Sequence, residues 1–243
     1  LIVSASGPVD HDALIIKKQK LFRTRKPYKI VNARRAPIWK AGRQIYEKDL
    51  EQTHILLALP APSFQDKLRF EAFIVNSLLG GGMTSRLYQA VREKQGLAYS
   101  VFSTLNTQTD SGNIAIYAGT DAKNVKKVVH IIADELLKIK KNGLKESDLK
   151  IFKTQVRGQL LMGSDDVENR MSSVGVNEMI FHEYRSVDKV IEEINKINLK
   201  SVNQYIKNNF DLEKVAAILM GPNMKTHQDW ISNYNFSKKR KAY

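Results

Sequence analysis

Apolar residues recur along the chain with two spacings, one typical of strands and one typical of helices. Four runs rich in aliphatic and β-branched residues predict strands: QTHILLALPAPS at 52–63, AYSVFSTLNTQ at 98–108, GNIAIYAGT at 112–120 and KVAAILMGP at 214–222. The second and third runs flank the turn sequence TDSG, so we predict that they form an antiparallel hairpin. Two prolines are expected to end the first strand.

Helical spacing is clearest after residue 124. The apolar positions there recur at steps of three and four: Val125, Val128, Val129, Ile132, Leu136 and Ile139. This helix is expected to end at KKNG, where cations fill the last turn and Gly143 follows it. The same criterion predicts further helices at 64–80, 83–95, 146–182 with breaks at Gly163 and Gly175, 186–196, 198–209 and beyond 222.

The order of these elements predicts a fold class. A strand and two helices precede the hairpin, and a series of helices separates the hairpin from the last strand. Such an order favours an α+β domain with a largely antiparallel sheet and helices on one face. At the start of the chain, LIVSAS predicts a short strand, and VDHDALIIKKQKLF predicts a helix capped by Asp10 or Asp12.

The start of the chain also resembles its end. LIVSASGPVDHD and VAAILMGPNMK are both apolar strands that run into Gly-Pro before a helix. We therefore expect residues 1–22 to be the end of a truncated half-domain and 51–222 to be a second half-domain. Between them, 23–50 is basic, is broken by prolines and lacks a sustained period, which predicts an interdomain linker. Residues 223–243 are expected to form a terminal helix and a basic tail.

Composition changes this picture little. The formal charge is +14, but residues 17–50 contain twelve Lys and Arg against two acidic residues, and the tail KKRK adds four more. The rest of the chain has equal numbers of basic and acidic residues. A solvated connector and a disordered tail explain the charge better than a polyanion-binding protein does, and no base-reading motif predicts a specific nucleic-acid partner. No apolar run is long enough to predict a transmembrane segment.

Most catalytic chemistries lack their residues here. Cysteine is absent, which excludes disulfides, thiol catalysis and cysteine-bound zinc. The five histidines lie far apart in sequence, and neither HExxH nor its inverse HxxEH occurs. GxSxG and phosphate-binding loops are also missing. The sequence therefore predicts no metal site in this chain.

One stretch remains, LLGGGMTSRLYQAVREKQGLAYSVFS at 78–103. Gly80, Gly81 and Gly82 permit positive φ and close backbone approach, either in a tight helix–helix turn or against an extended ligand. Arg92 is expected in the last helical turn before Gly96 and Tyr99 on the strand that follows. Both side chains donate hydrogen bonds and could converge on one peptide carbonyl. Alternatively, Arg92 serves only the helix dipole.

The same stretch closely resembles the signature of the C-terminal half of the M16 metallopeptidases, the family of pitrilysin, insulinase and the mitochondrial processing peptidase. The resemblance extends over about residues 1–222. It implies a two-layer sandwich that closes over a zinc-bearing N-terminal half and holds a peptide substrate between the two. It further implies that Arg92 and Tyr99 support the substrate carbonyl as catalytic residues, and that Gly80 to Gly82 match the family's substrate-binding glycine segment.

The missing HxxEH motif departs from the family pattern, so we expect this chain alone to be inactive. Zinc would be held in the complete enzyme by the N-terminal half. Alternatively, the chain belongs to a non-catalytic subunit that supplies Arg and Tyr to a zinc-bearing subunit in a homo- or heterodimer. A third class in the family consists of scaffold proteins of membrane complexes, which the intact Arg92 and Tyr99 pair disfavours. The likeness is greatest to compact bacterial members, which makes the bacterial cytoplasm the expected compartment, ahead of the periplasm or mitochondrial matrix.

Overall fold

The structure, a computed structural model, describes residues 1–23 and 35–238. Its strands are β1 (Arg43–Glu47), β2 (Thr53–Ala61), β3 (Ser100–Thr107), β4 (Gly112–Thr120) and β5 (Ala216–Gly221). Its α-helices are α1 (His11–Phe22), α2 (Arg69–Gly80), α3 (Val125–Asn142), α4 (Glu146–Asp165), α5 (Val167–Phe181), α6 (Val187–Lys196), α7 (Leu199–Asn209) and α8 (Gln228–Ser232). A π-helix covers Tyr88–Glu93, and short 3₁₀ turns precede α3, β5 and α8.

The strands form one sheet in the order β1-β5-β2-β4-β3. All neighbours pair antiparallel except β1 and β5, which are parallel. The predicted hairpin is confirmed, since β3 and β4 pair from Ser100↔Gly119 to Thr107↔Gly112. The predicted α+β class, with a largely antiparallel sheet, is therefore confirmed.

Side chains alternate across the sheet, so that one face meets the helices. Ile55, Leu57 and Leu59 of β2 are fully buried on this face, as are all six periodic apolar residues of α3. Each such side chain contributes roughly 1.5–3 kcal/mol when it leaves water. The predicted helix–sheet contact of α3 is thus confirmed, and this layer contains the core.

The opposite side of the sheet, which we call the open face, has no covering layer among the described residues. It is defined by cross-strand partners that share a side. Its members are Gln44, Tyr46, His54, Leu56, Ala58, Pro60, Ser100, Phe102, Thr104, Asn106, Asn113, Ala115, Tyr117, Gly119, Ala216, Ile218 and Met220. None is Asp, Glu, Lys or Arg, and Tyr46, Leu56 and Phe102 are each about two-fifths exposed. Exposed apolar residues on a sheet face without charge are typical of a binding surface.

Three local expectations were wrong. Residues 1–6 are not a strand, and no strand of the described residues pairs with them. Residues 43–47 were expected in the linker. They form the edge strand β1 instead, because they pair with β5, over 170 residues away in sequence. The long helix predicted at 146–182 breaks at Asp166 rather than at either glycine, and the Asp166 carboxylate caps α5 by accepting from the Asn169 N–H at 2.7 Å.

Other expectations at the ends of the chain have mixed outcomes. Asp10 caps α1 as predicted, accepting from the Ala13 N–H at 2.9 Å. The terminal helix after 222 is only the short α8. Residues 24–34 of the expected linker and most of the basic tail, 239–243, lie outside the described residues.

Candidate functional site

The three consecutive glycines end α2 beside β3. A Cβ atom at Gly80 would overlap the backbone nitrogen of Ser103 and lie 2.6 Å from its Oγ, so this position requires glycine for close approach. Gly81 would collide with Ser77 of the preceding turn, at 2.6 Å from its Cα. Gly82 has no atom within 4 Å of its would-be Cβ. None of the three has positive φ, which corrects that part of the expectation.

The expected helix at 83–95 is shorter than predicted and mostly π-helical. The Lys94 N–H donates to Gln89 O at 3.1 Å, a five-residue step that widens the helix. Gly96 ends it with φ of 59°, as predicted from its position. π-helical turns are uncommon and are frequent at functional sites, where they displace a side chain from its α-helical direction.

Arg92 lies in this π-helix and is exposed. Its guanidinium stacks over the ring of Tyr88, with 5.2 Å from Cζ to the ring centre. Tyr88 in turn lines a concavity of about 380 Å³, which we call the glycine concavity, together with Gly80 to Gly82 and residues 101–103. Arg92 therefore contacts one lining residue, Tyr88, of a concavity that the predicted glycine segment also lines.

Tyr99 lies just before β3 and is 65% exposed. Its N–H donates to Gly119 O at 3.1 Å, although Ser100 is the residue paired with Gly119. Two residues of one strand thus stand opposite one residue of the next, which is the arrangement of a β-bulge. Bulges redirect side chains and are frequent beside active sites.

A pair of polar aromatic residues stands next to this bulge on the open face. His54 Nδ1 and the Tyr117 hydroxyl are 2.8 Å apart, and the Tyr117 ring lies 5.1 Å from that of Phe102. A Cβ at Gly119 would sit 3.2 Å from the Tyr117 hydroxyl and 3.0 Å from Gln52 Oε1. Neither His54 nor Tyr117 was predicted as a site residue from the sequence. Period-two alternation along β2 was the only signal for placing His54 on this face.

The predicted residues are thus brought together in part. The glycines line the glycine concavity, and Arg92 contacts its lining residue Tyr88. Tyr99 borders the open face through its hydrogen bond to Gly119. Arg92 and Tyr99 flank the same helix end and are both accessible to solvent. In the described parts of the chain, no hydrogen bond or ring contact joins them, so both remain available to a ligand.

The family of the chain follows from comparison with known proteins. A family model described as the peptidase M16 inactive domain matches residues 1–156. The chain belongs to the M16 peptidase family. Its resemblance to M16, first seen in the residues at 78–103, is therefore confirmed.

Relatives within the M16 family are named as zinc proteases. An uncharacterized zinc protease of Mycobacterium tuberculosis is 33% identical over 231 residues, covering 91% of this chain and 52% of the relative. The uncharacterized zinc protease YmxG of Bacillus subtilis is 30% identical over 222 residues, covering 91% and 54%. The chain spans about half the length of these curated relatives.

Solved structures show the same M16 fold. A peptidase M16 inactive domain from Pseudomonas fluorescens superposes with a TM-score of 0.79 at 20% identity, covering 89% of this chain and 52% of that one. A protease from Helicobacter pylori superposes with a TM-score of 0.76 at 16% identity, covering 89% and 54%. At these identities the similarity concerns the fold.

The described residues of this M16 domain contain neither a candidate metal site nor a candidate membrane span. Across 1–23 and 35–238, no group of three or more His, Asp or Glu is placed to hold a metal ion. The residues present therefore do not fit a catalytic zinc ion. In the same ranges, no helix combines the length and apolar character needed to cross a membrane.

Proposed function

We propose that this chain is the substrate-binding half of an M16 zinc metalloendopeptidase that acts on unfolded peptides. The observation that carries the proposal is the uncharged open face, with the bulged Tyr99 at its corner and Arg92 stacked on Tyr88, a residue that lines the glycine concavity. A peptide backbone is polar but uncharged, and its side chains vary. A surface of aromatic and small polar groups suits such a ligand better than a charged one does.

In this proposal the zinc-bearing half belongs to the same protein, because the relatives named zinc proteases are about twice as long as this chain. Residues 1–22 would then be the end of that half, 23–42 the region between the halves, and 43–222, which includes the edge strand β1, the second half. The metal would polarise the scissile carbonyl and supply the attacking hydroxide. No residue described in this chain would hold it.

Two side chains of this half would act on the peptide. The Tyr99 hydroxyl would donate a hydrogen bond to the carbonyl oxygen as it gains negative charge, and the Arg92 guanidinium would hold the same or the neighbouring carbonyl. A donor that strengthens its bond only as charge develops lowers the barrier without tightening ground-state binding. The glycine segment would allow the peptide backbone close to Gly82, where a side chain would otherwise project.

The test uses the complete protein with its zinc-bearing half. Tyr99→Phe removes one donor and keeps the ring, so we expect kcat for a peptide to fall about 100-fold with little change in KM. Arg92→Lys should also lower kcat, because an ammonium cannot reproduce the planar fork. Since both would serve one reacting group, the double variant should lose less than the product of the single losses.

Matched controls are available outside the glycine concavity and the open face. Tyr184 is 69% exposed, close to the value for Tyr99, and Arg157 is exposed on α4. Tyr184→Phe and Arg157→Lys should leave kcat and KM unchanged. The proposal fails if Tyr99→Phe and Arg92→Lys behave like these controls, or if they change KM alone.

A further inference from the structure

The strand β3 forms one edge of the sheet, and its outer backbone groups can be identified. Gln108 N–H donates to Ser111 O at 2.8 Å, so these two residues form a hydrogen-bonded pair beside the turn. Such pairs alternate along antiparallel strands. The N–H and C=O groups of Val101, Ser103, Leu105 and Thr107 therefore point away from β4. Within 1–23 and 35–238, no backbone group donates to or accepts from them.

The β3 edge also lacks the usual features that prevent strand pairing. β1, at the opposite edge, is five residues long and carries Arg43 and Glu47. β3 is eight residues long, SVFSTLNT, with neither charge nor proline. Natural sheets normally protect such an edge with lysine, proline or a covering element. Helix α2 covers the first half of this edge at Ser103, so the part around Leu105 to Thr107 is the part suited to pairing with another extended backbone.

The edge lies in a recess rather than on a flat side. At its start, α2 approaches Ser103 through Gly80, and the glycine concavity lies alongside. At its end, Leu105 and Thr107 line a cavity of about 470 Å³ whose walls include Phe64, Phe70, Phe73 and Phe181. We call this the phenylalanine cavity. The distance along β3 from Phe102 to Thr107 is about 17 Å, which matches about five residues of an extended chain.

We propose that an extended peptide pairs as an added strand with β3 along Leu105 to Thr107, places an apolar side chain in the phenylalanine cavity and continues toward the glycine concavity. The inference rests on the proposed function in taking the peptide to be the substrate. It goes beyond that function by assigning a pairing strand and a side-chain preference.

The recess decides between a peptide and a second copy of the chain. Helices α4, α5 and α6 contribute walls of the phenylalanine cavity through Val156, Phe181 and Val190, so the helical layer extends to this edge. A second copy would have to bring its own helical layer against this one for the two β3 strands to pair. A single unfolded strand has no such obstruction.

The charged side chains at the phenylalanine cavity pair with each other at its wall, so its interior suits an apolar side chain. Arg69 and Arg185 both bind Glu193, the first at 2.7 Å, and Arg185 stacks over Phe181 at 4.4 Å. One carboxylate thus holds both guanidinium groups at the wall. The remaining lining is mostly aromatic and aliphatic.

The first experiment measures binding of fluorescein-labelled, unstructured peptides of about ten residues to this chain by fluorescence anisotropy. Thr107→Pro removes one outward N–H from an edge position where proline is tolerated, while Thr107→Ala retains it. We expect about a tenfold weaker Kd for Thr107→Pro and little change for Thr107→Ala. Circular dichroism confirms that both variants are folded.

The second experiment leaves the protein backbone unchanged. Two peptides are N-methylated at every second residue, one at its odd and the other at its even positions; we call these the two N-methylation phases. One phase should abolish binding and the other should leave it nearly intact, because an added strand pairs through alternate residues only. A peptide with one Phe should bind about tenfold more tightly than its Ala counterpart. Val190→Phe, which fills the cavity, should remove that preference.

The outcomes separate the two proposals. Absence of peptide binding, equal effects of both N-methylation phases, or dimerisation of the chain through β3 would overturn the strand-addition inference. If Thr107→Pro binds peptide normally but Tyr99→Phe lowers kcat in the complete protein, the proposed function stands and the pairing strand is wrong. If Thr107→Pro weakens binding while Tyr99→Phe is fully active, the edge binds peptide and the catalytic role of Tyr99 is wrong.

Discussion

Gly80 and Gly82 are close in sequence but have different surroundings. A Cβ at Gly80 would overlap the β3 backbone, whereas a Cβ at Gly82 would meet nothing within 4 Å. We therefore expect Gly80→Ala to lower the free energy of unfolding by about 2 kcal/mol, because neither α2 nor β3 can yield easily. Gly82→Ala should keep or slightly raise stability, since its φ is not positive. Urea denaturation of both variants measures this difference.

The Gly80 and Gly82 variants also distinguish a role in packing from a role in substrate contact. If the backbone at Gly82 approaches a peptide, Gly82→Ala in the complete protein should raise KM several-fold while its stability stays normal. A normal KM with normal stability would restrict the glycine segment to a turn. Equal destabilisation by both substitutions would contradict the assignment of Gly80 as the close-contact position.

At the scale of single residues, the sequence predicts types better than positions in space. Arg92 and Tyr99 were found because they flank a helix stop that Gly96 marks. The partners His54 and Tyr117 are 63 residues apart, and only the pairing of β2 with β4 brings their side chains together. Likewise, the bulge at Tyr99 depends on Gly119, so no local pattern could reveal it.

At the scale of elements, the strength of the local pattern decided what could be predicted. α3 has six periodic apolar residues and a glycine stop, and its observed bounds match the prediction. β1 places only one apolar residue, Ile45, toward the core, so its sequence has little strand pattern. It is a strand because it pairs in parallel with β5. Within 146–182, helix α5 continues through Gly175, where a break was expected. The missing side chain of Gly175 lets Ser4 approach α5, with its Oγ 2.8 Å from a would-be Cβ.

The segment around α8 offers a pH test of element stability. His227 Nδ1 accepts a hydrogen bond from the Trp230 indole N–H at 2.9 Å, which requires an unprotonated nitrogen. Burial lowers the pKa of His227 below 6.5, and the nearby Lys126 lowers it further, against an opposing backbone contact with Ala122. The neutral ring is therefore the form that the folded state favours.

The direction of the effect follows from that lowered pKa. The unfolded chain binds the proton more readily, so stability is full above about pH 6.5 and declines as the pH falls through 6.5 toward the folded-state pKa. We expect Tm to fall between about pH 7.5 and pH 5.5, and to fall less in His227→Gln. His11→Gln, at an exposed position of α1, should retain the wild-type pH dependence. An unchanged pH profile in His227→Gln would contradict the assignment.

For the whole molecule, the two sides of the sheet have different chemistry. One side joins the helices in a continuous apolar core, while the open face has no charged residue in a chain of which 26% is charged. The net charge of +14 therefore does not describe the candidate site. The surplus of basic residues lies in 17–50 and in the tail KKRK, and none of the residues that form the open face is charged.

The placement of possible zinc ligands over the whole molecule determines which chemistry this chain can perform alone. Zinc in a peptidase requires three protein ligands that converge on one point and an open position for water. The histidines and carboxylates of the described residues form no such group. We therefore expect the isolated 243-residue chain to contain no stoichiometric zinc after exposure to the metal and to leave unfolded peptides uncleaved.

Elemental analysis and a peptide-cleavage assay, run on this chain and on the complete protein, measure both expectations. The complete protein should contain one zinc ion and cleave peptide, because its other half would supply the ligands. Peptide binding provides the internal control, since a chain that binds peptide at β3 without cleaving it is folded and lacks only the metal. One tightly bound zinc ion per isolated chain, together with cleavage that a chelator abolishes, would mean that this half contains a metal site of its own.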